Sequence, residues 1–159
     1  MREPQVVALL DALTSELAGA GYTAEQTFGY TADQLQSANV YMVGARVDDE
    51  LIGIGGLELQ EGGAGELKRF FVTSEHRGTG VADALLCALL DYARSHELDL
   101  VRLETGDKQR AAVAFYRRHG FVEIPRFGSY VASETSVCMQ RLVGDEAESP
   151  ELPVDAATD

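Results

Sequence analysis

A glycine-containing turn at residues 77–82, with the sequence Arg-Gly-Thr-Gly-Val-Ala, has the composition of an anion-binding site. It follows a strand-like run at residues 67–72 and leads directly into an apolar helical pattern. Several backbone N–H groups point outward at such a helix N-terminus, and the helix dipole adds partial positive charge. Because Gly78 and Gly80 have no Cβ, a phosphate group can approach the main chain closely. The turn therefore predicts a site for a phosphate-bearing ligand.

Two common phosphate-binding loops do not match this turn. A Walker A loop ends in Gly-Lys-Ser/Thr, and that ending does not occur in the sequence. A dinucleotide-binding fingerprint needs Gly-x-Gly-x-x-Gly, but Asp83 stands where the third glycine is required. Both nucleotide-binding loops are therefore excluded, and the phosphate carrier must be of another kind.

Apolar periodicity predicts the elements that position this turn. Helical spacing occurs at residues 6–17, 31–37, 81–93 and 108–119, and strand-like runs occur at residues 40–47, 51–59, 66–72, 98–105, 121–124 and 137–143. Residues 66–105 form a strand–helix–strand unit, whose right-handed crossover makes the two strands parallel neighbours. The fold class is therefore a mixed α/β (α+β) sheet in one domain, mostly antiparallel, with one parallel pair and flanking helices.

Two local features of the predicted fold depend on glycine. Gly53, Gly55 and Gly56 lie within one strand and predict a bulge or a close backbone approach there. Gly120 follows the fourth predicted helix and is placed to end it in the left-handed conformation.

Composition and charge restrict the partners. The chain has 159 residues and a formal net charge of −13, and residues 144–159 carry six acidic residues and no basic one. We expect residues 1–143 to form the domain and this acidic tail to be disordered. An acidic body argues against nucleic acid as a partner and mildly favours a cationic or amine substrate, although solubility alone explains the same charge.

The remaining composition points to a cytoplasmic protein without a membrane span. No apolar run approaches the roughly 18 residues that a span needs, and the N-terminus lacks the apolar region of a signal peptide. Cys87 and Cys138 do not form a disulfide framework or a metal site, so we expect reduced thiols. Cys138 has no His or Asn partner at an interpretable spacing, which favours a buried structural thiol over a nucleophile. No metal site is expected, and a homodimer is compatible with the sequence.

The pattern Arg77-x-x-Gly80-x-Ala82 resembles the Arg/Gln-x-x-Gly-x-Gly/Ala motif of the GNAT acyl-CoA N-acyltransferases. Residues 115–121 are similar to the Tyr-x-x-x-Gly-Phe segment of that family, with Tyr116 and Gly120 at the matching positions. The resemblance covers roughly residues 40–143, and the strand order fits. The first strand that this family usually has is not evident.

The resemblance implies acetyl-CoA as the donor and a primary amine as the acceptor. The pyrophosphate suits the backbone donors of the turn, and the amide-containing pantetheine arm suits a free strand edge. A family asparagine seven residues before the tyrosine is replaced by glutamine here. The implied donor-binding residues are Phe71, Val72, Arg77, Gly78, Thr79, Gly80, Val81, Ala82 and Gln109. The alternative is a CoA-binding regulatory or interaction module without turnover.

The resemblance also suggests catalytic residues, for which alternatives stay open. Tyr116 has the position of the family's general acid, which protonates the departing thiolate, or it is a core tyrosine. Glu66 lies eleven residues before Arg77, as a catalytic base does in the histone acetyltransferase branch. Glu104 competes for that role, because it lies near the end of the parallel neighbour strand. Either glutamate could instead form a salt bridge, and many family members rely on water as the base.

The acceptor pocket is expected at the loop of residues 125–130. Phe127 and Tyr130 lie there beside proline and glycine. They either line the pocket or only pack against other side chains of the fold. The loop of residues 28–30 is the other segment expected to influence the choice of acceptor.

Overall fold

In a computed structural model, the protein consists of a seven-stranded mixed sheet with helices on both of its faces. The structure describes residues 4–27, 29–144 and 155–156. The helices are α1 (Pro4–Gly19), α2 (Ala24–Thr27), α3 (Ala32–Ser37), α4 (Val81–Ser95) and α5 (Arg110–Arg118). The strands are β1 (Tyr41–Val47), β2 (Glu50–Gln60), β3 (Ala64–Val72), β4 (Leu100–Gly106), β5 (Val122–Ile124), β6 (Ser136–Leu142) and β7 (Asp155–Ala156). Their order in the sheet is β5-β6-β4-β3-β2-β1-β7.

The fold class predicted from the sequence is confirmed. β3 and β4 are the parallel pair on either side of α4, and the other neighbouring strands run antiparallel. α3 begins with a capping box, in which Thr31 accepts a hydrogen bond from the Gln34 N–H and the Gln34 side chain accepts one from the Thr31 N–H. The β1–β2 hairpin turns through Asp48 and Asp49, both at positive φ, as a two-residue turn of the primed type requires.

A bulge interrupts the pairing of β2 with β3. Ile54 pairs with Phe71 and Gly56 pairs with Lys68, so β3 contains the extra residue. Arg69, at φ +52°, is the bulged residue in the left-handed region. The glycines of β2 predicted this irregularity, but its strained backbone lies on the opposite strand.

Two apolar clusters cover the two faces of the sheet, because successive strand residues point to opposite sides. α4 packs on one face through Leu85, Leu86, Leu89 and Leu90, none of which is exposed to solvent. α1 and α3 pack on the other face, where Val6 and Leu35 join side chains of β1 and β2. The broad apolar surface of α4 fixes the position of its N-terminus against the sheet.

The end of the sheet beside β1 is occupied by β7. Val43 pairs with Ala156, and Gly44 pairs with Asp155. Residues 145–154 and 157–159 lie outside the described part of the chain, so disorder of the acidic tail stays a prediction. Within residues 4–27 and 29–144 no strand precedes β1, as the sequence indicated.

Candidate active site

A cavity of about 540 Å³ lies where β3 and β4 separate. The two strands pair only through Ala64, Gly65 and Glu66, which face residues 100–102 of β4. Beyond that point β4 continues along β6 to Gly106, while β3 continues along β2 to Val72. Within the described part of the chain, residues 67–72 of β3 therefore have a backbone edge toward β4 with no strand partner there. This edge and both diverging strands line the cavity.

Most of the predicted site residues meet in this one cavity, and four do not. The predicted residues that line it are Phe71, Val72, Arg77, Gly78, Gly80, Ala82, Glu104, Gln109, Tyr116 and Tyr130. Thr79, Val81, Glu66 and Phe127 are not among its lining residues. Thr79 turns its hydroxyl to the carbonyl of His76, and Val81 is buried in the core.

The glycine turn has the geometry of an anion cradle. Gly78 and Gly80 have φ angles of +76° and +91°, which only glycine adopts without strain. A Cβ added at Gly78 would meet no atom within 4 Å, so the space beside it is open. The first hydrogen bond of α4 runs from the Ala84 N–H to the Gly80 carbonyl at 3.1 Å. The earlier N–H groups of this helix therefore lie outside its own ladder and are free for a ligand.

The Arg77 side chain braces the turn. Its Nε donates to the Val72 carbonyl at 2.9 Å, and its Nη2 donates to Glu16 Oε1 of α1 at 2.7 Å. The guanidinium also lies over the Phe71 ring at 5.3 Å. These contacts join the end of β3, the turn and α1, so Arg77 holds the shape of the turn in addition to lining the cavity.

Tyr116 is held at the C-terminus of α5 by a Schellman motif. The Phe121 N–H donates to the Tyr116 carbonyl at 3.0 Å, the Gly120 N–H donates to the Arg117 carbonyl at 3.1 Å, and Gly120 has φ +85°. The Phe121 ring packs on the Tyr116 ring with centroids 5.6 Å apart. This motif explains physically why a glycine and a phenylalanine follow the tyrosine at these positions.

The Tyr116 phenol keeps its proton throughout the neutral range. Burial raises the pKa of Tyr116 well above its ordinary value of 10. The ring is 7% exposed, packs against Phe70 and Phe115, and lines the cavity. Among the described residues the phenol has no hydrogen-bond partner, so its O–H is available to a group in the cavity. The arrangement suits a proton donor.

Of the two predicted candidate bases, Glu104 lines the cavity and Glu66 does not. Burial raises the pKa of Glu104 to about 7, against a hydrogen bond from Ser136 that lowers it, and the nearby Glu66 charge raises it further. The Ser136 hydroxyl donates to Glu104 Oε2 at 2.6 Å. A carboxyl group with this pKa is divided between its two protonation states near neutral pH, which is the property of an effective general base.

Glu66 occupies a different position, inside a polar network. It is 3% exposed, and its carboxylate accepts hydrogen bonds from Gln60 at 2.7 Å, Lys68 at 2.9 Å and Tyr130 at 2.5 Å. Its cross-strand partner is Glu58, which lies 4.0 Å from the Lys68 ammonium. Lys68 therefore neutralises two facing carboxylates, and Glu66 is fully engaged by donors.

Of the two aromatic residues in the predicted acceptor loop, Tyr130 lines the cavity and Phe127 does not. Tyr130 lines the cavity and donates its O–H to Glu66, while Phe127 packs against the Tyr130 ring with centroids 5.3 Å apart. The Arg102 guanidinium lies over the Phe127 ring, 4.4 Å from its centroid. Burial, followed by the Glu66 charge and hydrogen bond, raises the pKa of Tyr130. Phe28 of the other predicted acceptor loop lies outside the described residues.

Three residues outside the predicted catalytic and binding set also contribute contacts to this site. Lys68 lines the cavity with its ammonium 4.4 Å from the centre of the Tyr30 ring, and Tyr30 donates to Glu58. Ser136 holds Glu104. The salt bridge of Glu66 with Lys68 is the alternative that the sequence left open for Glu66, and Tyr30 belongs to the loop expected to influence the acceptor, but no local pattern pointed to Ser136.

The described part of the chain has neither a candidate metal cluster nor a candidate membrane-spanning helix. No group of three or more His, Cys, Asp or Glu side chains could hold a metal ion there. None of its helices combines the length and the apolar character needed to cross a bilayer. Cys87 and Cys138 are both buried, and neither forms a disulfide bond.

Comparison with known proteins gives one consistent result. The model of the acetyltransferase (GNAT) family matches residues 8–121. An IAA acetyltransferase from Azospirillum brasilense is 34% identical over 137 residues, which are 86% of this chain and 89% of that protein. Several other N-acetyltransferases, mostly mammalian, match over less than half of their own length.

Solved structures agree with the sequence matches. A protein from Klebsiella pneumoniae classed as an acyl-CoA N-acyltransferase has a TM-score of 0.76 and 31% identity, over 89% of this chain and 92% of that one. The PaiA N-acetyltransferase from Thermoplasma acidophilum, solved in complex with coenzyme A, has a TM-score of 0.67 and 18% identity, over 87% and 91% of the two chains. The second likeness concerns the fold alone.

Proposed function

The chain belongs to the acetyltransferase (GNAT) family, and on that premise we propose that it transfers an acetyl group from acetyl-CoA to a primary amine. The observation that carries this proposal is the fork between β3 and β4. Its unpaired strand edge leads from the glycine turn into a cavity that also holds a buried phenol and a carboxyl group with a raised pKa. In thioester aminolysis the strand edge would hold the donor, the phenol would protonate the leaving thiolate, and the carboxyl group would take a proton from the amine.

The donor would be held by backbone groups. The pyrophosphate would accept hydrogen bonds from the free N–H groups at the start of α4, beside Gly78 and Gly80. The pantetheine amides would pair with the edge of β3 at residues 67–72, as an added strand does. Gln109, at the start of α5, lines the same cavity and offers a side-chain amide to the same arm. This placement brings the thioester toward Tyr116 and Glu104.

The proton transfers are assigned to two side chains. Glu104, with a pKa of about 7, takes a proton from the ammonium form of the acceptor, directly or through water, so that a neutral amine can attack. Tyr116, whose raised pKa keeps it protonated, donates to the departing thiolate. We assign Glu66 to holding Lys68 and Tyr130 in place, because three donors already engage its carboxylate.

The proposal is tested by thiol release from acetyl-CoA with a panel of amines: tyramine, spermidine, L-glutamate and a lysine-containing peptide. Release that depends on an amine, together with an acetylated product in the mass spectrum, is expected for at least one of them. Acetyl-CoA binding in isothermal titration without any amine-dependent release would instead favour a CoA-binding module. An absence of binding at millimolar acetyl-CoA would contradict both functions.

Two glycines provide a matched control for the donor site. Gly78 and Gly62 have the same φ of +76°, and a Cβ at either would meet no atom within 4 Å. Alanine should strain both turns equally, by about 1 kcal/mol. The Gly78→Ala methyl group would occupy the phosphate space and should raise the Kd for acetyl-CoA about tenfold or more. Gly62→Ala should leave that Kd unchanged, and equal Kd values for the two variants would remove the turn from the donor site.

A further inference from the structure

The proposed transfer leaves one proton to be removed in each catalytic cycle. An ammonium acceptor and acetyl-CoA give an amide, free CoA thiol and one proton: the new C–N bond forms, the C–S bond breaks, and the sulfur keeps the electron pair. Of the two amine protons that are lost, one goes to the base and the other replaces the proton that Tyr116 gives to the thiolate. With Glu104 as the base, its carboxyl group must pass that proton to solvent before the next cycle.

A chain of hydroxyl groups leads away from Glu104 through residues that do not line the cavity. Ser136 Oγ lies 2.6 Å from Glu104 Oε2 and 2.8 Å from Ser133 Oγ, and Ser133 Oγ lies 3.4 Å from Thr135 Oγ1. Ser136 is 4% exposed, whereas Ser133 and Thr135 are half-buried. The chain therefore runs from a buried hydroxyl toward the surface within two steps.

The Ser136 hydroxyl is a two-way switch, because it has a single proton and contacts two oxygens. When Glu104 is ionised, Ser136 donates to it and accepts from Ser133. When Glu104 is protonated, the carboxyl O–H donates to Ser136, which must then donate to Ser133. Each state of the carboxyl group thus has a matching hydrogen-bond pattern, and the change between them moves one proton along the chain.

The surrounding loop holds this chain in a fixed geometry and connects it to solvent. Arg126 donates from Nε to the Ser136 carbonyl and from Nη2 to the Glu134 carbonyl, each at 3.0 Å. The Ser133 N–H donates to the Tyr130 carbonyl at 2.9 Å. Ser136 also lines a second, more open depression of about 440 Å³, which does not include Glu104. Glu104 and Ser136 together therefore form a contact between the substrate cavity and a separate solvent-facing surface.

We propose that Ser136 and Ser133 form a proton relay that returns Glu104 to its basic form by passing its proton to solvent away from the bound substrates. The relay rests on the proposed function, since it assigns the path of a proton that only the amine transfer produces. It adds two positioning residues that do not contact the substrates. It also allows Glu104 to lose its proton while the donor and the acceptor still occupy the cavity.

Other charged and titratable groups face Glu104 and belong to its pH response. They come from β3, the 3-10 turn Gly128–Tyr130, β6 and the loop after α1, and they are Glu66, Lys68, Tyr130, Cys138 and Tyr22. The tyrosines and the cysteine have pKa values raised above their ordinary ranges and stay neutral at pH 7, while Glu66 is paired with Lys68. Glu104, with its pKa raised to about 7, changes its charge near neutral pH.

The test measures kcat against pH, and against the fraction of D₂O, with acetyl-CoA and the best amine of the panel. Ser136→Ala removes the hydrogen bond that favours the ionised Glu104, so the acid limb of kcat should move up by about one to two pH units. Ser133→Ala keeps that bond and should move the limb much less. Both variants should lower the plateau of kcat about tenfold. In the wild-type protein kcat should depend on the D₂O fraction along a curve, because several protons move together. In both variants that dependence should be linear.

Two further variants serve as controls. Ser136→Thr keeps the hydroxyl and should restore most of the turnover, and Ser95→Ala, at the end of α4, should behave as wild type. Wild-type kcat and D₂O dependence in Ser136→Ala would overturn the relay. A shifted acid limb with an unchanged plateau would also overturn it, because Ser136 would then only tune Glu104. A wild-type protein that releases no thiol with any amine would overturn the proposed function itself, and the relay with it.

Discussion

Replacing Glu104 by glutamine should stabilise the protein at alkaline pH and impair its turnover. The folded protein holds the Glu104 proton up to about pH 7, while an unfolded chain releases it near pH 4.5. Between these two values the folded state binds more protons than the unfolded state, so stability falls as pH rises. Glutamine is neutral at every pH, keeps the shape of the side chain and still accepts a hydrogen bond from Ser136.

The size of the effect follows from the difference in pKa. A carboxyl group with pKa values of about 7 folded and 4.5 unfolded destabilises the protein by about 3 kcal/mol at pH 8 and by about 1 kcal/mol at pH 5. The stability advantage of Glu104→Gln should therefore grow by about 2 kcal/mol between these two pH values. Partial solvent access to Glu104 makes this an upper figure.

Urea unfolding of both proteins at pH 5 and pH 8 measures this difference, and the same samples serve for kinetics. The wild-type kcat should rise about tenfold from pH 6 to pH 8 as Glu104 ionises, and Glu104→Gln should lose this rise and at least about a hundredfold in kcat at pH 8. A stability advantage that is equal at pH 5 and pH 8 would refute the raised pKa. A wild-type pH profile retained in Glu104→Gln would refute its role as the base.

The remaining predictions concern the other two candidate catalytic side chains. Tyr116→Phe should lower kcat about a hundredfold or more while the Kd for acetyl-CoA in isothermal titration stays unchanged, and unaltered turnover would remove the general-acid assignment. Glu66→Gln should destabilise the protein by about 3 kcal/mol in urea unfolding, because it leaves the largely buried Lys68 without its closest carboxylate. The acid limb of kcat should remain but move to lower pH, because the Glu66 charge that raises the pKa of Glu104 is removed. A loss of the acid limb in Glu66→Gln would instead identify Glu66 as the base.

Local signals made the glycine turn, the helix after it and the end of α5 predictable. The turn needs glycines at positive φ, the helix after it shows its apolar stripe, and the Schellman motif needs Gly120 and Phe121 after Tyr116. Each of these depends on residues that are close in the chain. The parallel pairing of β3 with β4 followed in turn from the length and handedness of the crossover.

The catalytic side of the site depends on contacts that are distant in the chain. Glu66 lies on β3 and Glu104 on β4, the two strands of the parallel pair. The residues next to them in the sequence do not indicate which of the two lines the cavity. The point at which β3 leaves β4, after Glu66, separates the two glutamates, and no local sequence pattern marks that point. Ser136 reaches Glu104 across 32 residues, so no spacing rule pointed to it.

The most direct test of the account is hydrogen exchange of the β3 amides with and without acetyl-CoA. Amides within residues 67–72 that have no partner on β2 should gain protection when acetyl-CoA binds, together with those at the start of α4. Amides of β1 and β6 should not change. Binding of acetyl-CoA that leaves the exchange of residues 67–72 unaltered, or that protects only another surface, would contradict the assignment of the β3–β4 fork as the donor site.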